Sequence, residues 1–304
     1  MASLKSIRKR IGSIKSSQKI TRAMKMVAGA RLTRAQQRIT ALRPYALKTG
    51  EILSEIQAAA HRDREDKEAS ADISHSPLHP LLDYRAEKKV LYVVLSSDRG
   101  LCGAFNANVL KAALREWREK EADNKIVHFA TIGRKARDGL IRRKAVIDKD
   151  FVGLFDGLEL TKVKMISEWL VPRFLKGEYD AVYLVYNEFK SAITQKLVVE
   201  PLLPLPPPAR DAKKDEGAVE FTFEPSRDTL LENLVPMYVD ISLYRALLES
   251  QASEFGARMS AMDSATRNAK DMIGRLTLVY NRVRQAAITT ELMEIIGGAE
   301  ALKD

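Results

Sequence analysis

A chain of 304 residues has room for one large domain or two modest ones, and an apolar content of 45% excludes wholesale disorder. Charged residues at 30% and aromatics at 7% favour exposed helix over a compact all-β core, and a single cysteine excludes both an intrachain disulfide framework and a thiolate metal cluster. The net charge of +10 points to an acidic partner, and no apolar run approaches the ~20 residues of a bilayer-spanning helix.

The start, Met1-Ala2-Ser3-Leu4-Lys5, turns quickly into a charged helical pattern. It lacks the apolar core of a signal peptide, so a reducing, cytoplasm-like compartment is expected. Residues 1–49 contain 13 Lys or Arg and no acid, which leaves 37 basic against 40 acidic residues in the remainder. The whole basic excess therefore sits in one N-terminal segment. That segment carries a 3-4 apolar seam (Leu4, Ile7, Ile11, Ile14, then Ala28, Leu32, Ala35, Ile39, Leu42) interrupted by Gln18, Thr21 and Lys25. A sustained 3-4 repeat predicts a coiled-coil helix, and the polar break predicts that the helix faces something other than an apolar partner there. Pro44 is expected to kink or end the helix near Arg43, with helix resuming through Ile52, Leu53 and Ile56. Arg62 to Ser76 is polar and reads as a linker or mobile loop.

Alternating strand and helix patterns follow. Lys89–Ser97 is a continuous apolar run of the kind covered on both faces. Ala104–Ala122 is helical in pattern, Ile126–Gly133 reads as a strand, and Arg134–Lys144 as a short basic helix. Thr161–Lys176 reads as helix, and Ala181–Phe189 and Lys196–Leu203 as strands. This alternation predicts an α/β sheet with helices on its faces. Pro204–Gly217 is a loop. From Ile241 a second 3-4 seam runs through Leu248, Phe255, Met259, Met262, Thr266, Ile273, Leu276 and Tyr280 toward a stop at Gly297-Gly298. Each end of the chain thus carries a helix of roughly 80 Å, and neither can bury its stripe alone. The expected fold class is α/β: an antiparallel coiled coil of long N- and C-terminal helices plus a central Rossmann-like domain. The expected boundaries are 1–60 for the first helix, 61–87 for a linker, 88–225 for the α/β domain and 226–304 for the second helix.

Several motifs carry competing readings. Ser97-Asp98-Arg99-Gly100-Leu101-Cys102-Gly103-Ala104 lies between a strand and a helix, where α/β folds cradle phosphate, yet it matches neither common glycine-rich fingerprint. A tight structural turn is the favoured reading, and Cys102 is a small packed residue in it. His75 and His79 flank prolines and read as loop residues rather than metal ligands. The run Arg134, Lys135, Arg137, Arg142, Arg143, Lys144 suits either phosphate contact or a solvated helix face. At the C-terminus, Ile288, Leu292, Ile295 and Ile296 are too apolar for a free helix end, so a surrounding surface is expected, either the N-terminal helix or a partner.

Three segments resemble one known family. Ser6-Ile7 through Gln18-Lys19-Ile20-Thr21-Arg22-Ala23-Met24-Lys25-Met26-Val27-Ala28 resembles the opening helix of the gamma subunits of F-type ATP synthases. Ser97 to Gly103 resembles the loop after the first strand of that family's central domain, and Arg284-Gln285-Ala286-Ala287-Ile288-Thr289-Thr290-Glu291-Leu292 its C-terminal signature. The resemblance implies a rotor shaft: one copy per complex, inside a ring of three alpha and three beta subunits, with its α/β domain against the epsilon subunit and the c-ring. It implies a non-catalytic subunit without cofactor or metal, coupling rotation driven by proton flow to changes at the beta-subunit nucleotide sites. It also implies a location peripheral to the bacterial inner membrane, on the cytoplasmic side, with membrane contact only through the c-ring. On the same ground Gln18, Thr21, Met24, Lys25, Arg284, Gln285, Thr289 and Glu291 are expected to contact beta subunits. Phe221, Phe223 and Glu224 are expected at the foot near epsilon and the c-ring. The alternatives are a nucleic-acid-binding module built on the basic helix, which leaves the packed seam unexplained, and an enzyme binding a phosphorylated ligand at the Asp98–Gly103 turn.

Overall fold

The computed structural model describes residues 3–68, 79–205 and 227–301. Two long helices, α1 (Leu4–Glu68) and α5 (Arg227–Ala301), bracket an α/β segment. That segment runs β1 (Lys89–Leu95), α2 (Phe105–Ala122), β2 (Ile126–Ile132), α3 (Arg134–Ile141), β3 (Ile147–Phe151), α4 (Leu160–Leu175), β4 (Ala181–Phe189) and β5 (Gln195–Leu203). The chain divides into two compact units, Arg31–Ala257 and Met1–Ala30 with Arg258–Asp304. The first takes in parts of both long helices together with the α/β segment.

In the Arg31–Ala257 unit the sheet order is β3-β2-β1-β4-β5. The first four strands are parallel and β5 runs antiparallel at the edge. Because side chains alternate across a sheet, β1 feeds two cores. Leu91, Val93 and Leu95 join Ile166 and Leu170 of α4, Val239 and Leu243 of α5, and Leu53 and Ile56 of α1. Val90, Tyr92 and Val94 join Val109 and Ala113 of α2 and Leu140 of α3 on the opposite face. The sheet is covered on both sides, which is why β1 reads as unbroken apolar sequence.

Three expectations are corrected, and one strand was not expected. α1 continues through Pro44, which lies on the exposed side of the helix, while Leu42, Thr49 and Leu53 hold the inward side on either flank. The missing N–H therefore opens toward solvent, where water can satisfy the carbonyl it leaves. Residues 62–68 are helix rather than linker, in keeping with the strong helix formers Arg, Glu and Lys there. Gly297-Gly298 does not stop α5, which extends to Ala301. A strand went unexpected at β3: its sequence Ile-Asp-Lys-Asp-Phe exposes its three charged residues on a sheet edge and so lacks an apolar run.

Two local features fix the α/β body. Gly133, between β2 and α3, adopts φ +94, and a Cβ there would lie 2.0 Å from the Ser96 carbonyl oxygen. Glu87, just ahead of β1, accepts from Lys120 Nζ at 2.6 Å, from Lys125 Nζ at 2.8 Å and from the Tyr183 hydroxyl. It thereby ties the end of α2 and the middle of β4 to the lead-in of β1. Burial alone would push the Glu87 carboxyl up, but these three donors outweigh it and bring its pKa down to about 2.

Replacing Gly133 with alanine is expected to cost roughly 2–4 kcal/mol, since backbone must move as well as strain. Gly153→Ala, with φ +78 but open space around the Cβ position, is expected to cost only about 1–2 kcal/mol. Urea unfolding followed by circular dichroism compares the two. Glu87 contributes stability that is fully present above the ordinary glutamate range and is lost as pH falls toward about 2. Glu87→Gln is expected to flatten that acid limb, measured as unfolding free energy against pH.

Candidate partner interface

The smaller unit is an antiparallel pairing of α1 with the second half of α5. Thr21 Oγ1 lies 2.8 Å from Thr266 Oγ1, Lys25 Nζ 2.6 Å from Asp263 Oδ1, and a Cβ on Gly29 would sit 3.5 Å from Met259 Sδ. Numbers rise on one helix as they fall on the other. The seam positions Ile11, Ile14, Gln18, Thr21 and Lys25 are half-buried, as is Met24 beside them, and Ile7, Ala28 and Met262 are buried.

The polar break in the α1 seam therefore meets a polar break in the α5 seam. Thr266 is the counterpart of Thr21 and also donates to the Met262 carbonyl at 2.7 Å. Asp263, which the sequence reading passed over, takes Lys25 on one oxygen and Arg267 at 3.1 Å on the other. The hydrogen bond from Lys25, and then the Arg267 charge, hold the Asp263 carboxyl below its usual range. Polar pairs in an otherwise apolar seam fix register at some cost in stability. The signal that could have found Asp263 was the matched position of Thr266 as an exception in the second seam.

Outside the seam the pair is basic. By sequence its two segments hold 15 basic against 6 acidic residues. Arg8, Arg10 and Lys15 are exposed and have no carboxylate partner among the described residues. Toward the end of α5 the surface becomes apolar. Ile288, Leu292, Met293, Ile295 and Ile296 are 49–68% exposed. Arg284, Gln285, Thr289 and Glu291 are exposed on the same stretch, with Thr289 donating back to the Gln285 carbonyl at 2.9 Å. Phe221, Phe223 and Glu224 lie outside the described residues, as does His75.

In the other unit, the Ser97–Gly103 turn is closed by its own groups. Asp98 accepts from the Arg134 N–H at 3.0 Å and the Gly153 N–H at 3.1 Å, pinning the starts of α3 and of the segment after β3. Asn106 accepts from the Ser97 N–H at 2.9 Å and donates to Cys102 Sγ at 3.1 Å. Cys102 is buried, and His79 Nδ1 accepts from the Leu81 N–H, capping a short 3-10 turn at Pro80–Leu82. Among the described residues no group of three or more His, Cys, Asp or Glu is arranged to hold a metal. No helix among them is long and apolar enough to cross a membrane.

Comparison with known proteins agrees along the whole chain. A family model described as ATP synthase matches residues 3–302. The ATP synthase gamma chain of Sorangium cellulosum is 56% identical, and that of Geotalea uraniireducens 47% identical, each over 100% of both chains. Among solved structures, a chain of the central stalk and c-ring of the Tetrahymena thermophila mitochondrial ATP synthase superposes with a TM-score of 0.57 at 26% identity, covering 81% of this chain and 99% of that one. A chain from the Euglena gracilis mitochondrial enzyme, at 19% identity and a TM-score of 0.54, shares the fold over 90% and 95% of the two chains. None of these matches supports a nucleic-acid-binding module. The chain belongs to the ATP synthase gamma chain family.

Proposed function

We propose that this chain is the central shaft of a bacterial F-type ATP synthase, turning within a ring of three alpha and three beta subunits and carrying no catalytic group of its own. The observation that carries this reading is the helix pair itself. Its outer surface is strongly basic along α1 and apolar at the end of α5, so it suits enclosure by other polypeptides rather than solvent. A two-helix body lacks threefold symmetry, so each of three surrounding nucleotide sites meets a different face. Rotation then biases each site between conformations, a coupling that needs only differential contact. Exposed charges suit a moving contact because each pair contributes under ~1 kcal/mol and is readily exchanged.

Of the candidate beta contacts, Arg284, Gln285, Thr289 and Glu291 are exposed and available to a partner. Thr21 and Lys25 already bond to α5, so their part is to hold the shaft together while Gln18 and Met24 flank them. From the family resemblance Phe221, Phe223 and Glu224 are assigned to the foot against epsilon and the c-ring, with the protein peripheral to the inner membrane on its cytoplasmic side.

Deleting the chain from Arg284 onward is expected to lower the protons pumped per ATP hydrolysed in membrane vesicles. The unfolding of the Arg31–Ala257 unit should be unchanged, because it contains none of the deleted residues. Full pumping efficiency would count against the contacts assigned to that segment. The triple change Arg8→Glu, Arg10→Glu, Lys15→Glu alters exposed positions only, so the chain's own stability should move by under ~0.5 kcal/mol per site. Assembly or turnover of the complex should fall several-fold, and unaltered turnover would show that these charges only solubilise.

A further inference from the structure

The basic residues on and just after α3 have no part in the shaft, and the structure separates them into two groups. Arg137 is held by Asp138 at 3.0 Å and Asp150 at 3.3 Å. Lys135, Arg142 and Arg143 instead line a groove of about 640 Å3 between α2 and α3, and no carboxylate lines it. None of the three has an ion-pair partner among the described residues.

The two arginines are positioned rather than loose. Arg142 Nε donates to the Asp138 carbonyl at 3.0 Å, and Arg143 Nη1 donates to the Gly139 carbonyl at 3.0 Å. Each guanidinium is thus anchored on the carboxyl end of α3 through one N–H, where the helix dipole favours a cation. The remaining N–H groups stay unspent at the groove. Lys135 stands at the other end of α3, its stem beside Gly100. The floor is Ala107, Leu110 and Gly139.

The lining selects the ligand class. Three cations around a concavity of small-ligand size call for a compact polyanion, and anchored guanidinium forks match phosphate oxygens. No aromatic side chain lines the groove, and the Asn106 amide is consumed by Ser97 and Cys102. The groove therefore offers no aromatic ring for a base to stack on and no free amide to read its edge. The apolar floor is too small to seat an acidic helix by its hydrophobic face. We propose that the α2–α3 groove is a binding site for an inorganic, phosphate-rich anion of the pyrophosphate type, held by Lys135, Arg142 and Arg143.

The test is isothermal titration of the full chain with pyrophosphate at roughly 0.1 M salt, where long-range attraction is largely screened. Saturable one-to-one binding is expected, weakened at least about tenfold by Arg142→Ala with Arg143→Ala, since charge-assisted hydrogen bonds are lost at both. Arg8→Ala with Arg10→Ala should leave it unchanged. Lys135→Ala, a milder single change at an exposed site, should weaken it by a smaller factor with an unaltered unfolding curve. ADP carries the same diphosphate and should bind no more tightly than pyrophosphate. Absence of saturation, equal loss in the Arg8 and Arg10 variant, clearly tighter binding of ADP, or displacement only by an acidic peptide would each overturn the assignment.

Discussion

Neither long helix can stand alone in water, because each carries an apolar seam along one side. The seams close on each other, from Gly29 beside Met259 through the Lys25–Asp263 ion pair to the Thr21–Thr266 hydrogen bond. A shaft that turns as one body requires that closure. It turns two chain ends, separated by more than two hundred residues, into one body with two unlike faces. The polar layer at Thr21 and Lys25 adds register. A slip by one turn would set Asp263 against Thr21 or Gly29 and leave Lys25 without its carboxylate.

The same two helices behave differently where they enter the α/β unit. There α5 buries Val235, Val239, Leu243, Ala246 and Leu247 against the sheet-side core, and Ala252 and Ser253 are buried as well. A helix apolar on most sides is a helix surrounded by protein. The sheet is thereby joined to α5 by a continuous core rather than by a flexible connection within that unit. The Glu87 network and the Ser96–Gly133 approach give the sheet a rigid frame on which the exposed α2 and α3 faces are carried.

Much of this architecture was legible in the residues. β1, β2 and β4 announce themselves as apolar runs because both faces of the sheet are covered, and the two 3-4 seams predict the helix pair. What escaped did so for physical reasons. β3 is an edge strand with three exposed charges, so its pairing comes from the backbone and leaves little trace in the pattern. Pro44 is tolerated because packing on both flanks outweighs a local preference, a balance no local reading contains. At the interface, Thr21 and Lys25 of the polar break meet the polar Thr266 and Asp263 of α5. Asp263 was missed because it stands one place off the seam, where a long lysine reaches it.

The most direct measurement is a disulfide cross-link between Thr21→Cys and Thr266→Cys, formed in the assembled membrane complex by mild oxidation. The hydroxyls they replace are 2.8 Å apart. If the two helices move as one shaft, the bond should form in high yield and ATP-driven proton pumping should persist at near its uncross-linked rate. Failure to form the bond, or formation that halts pumping while leaving the complex intact, would contradict the account.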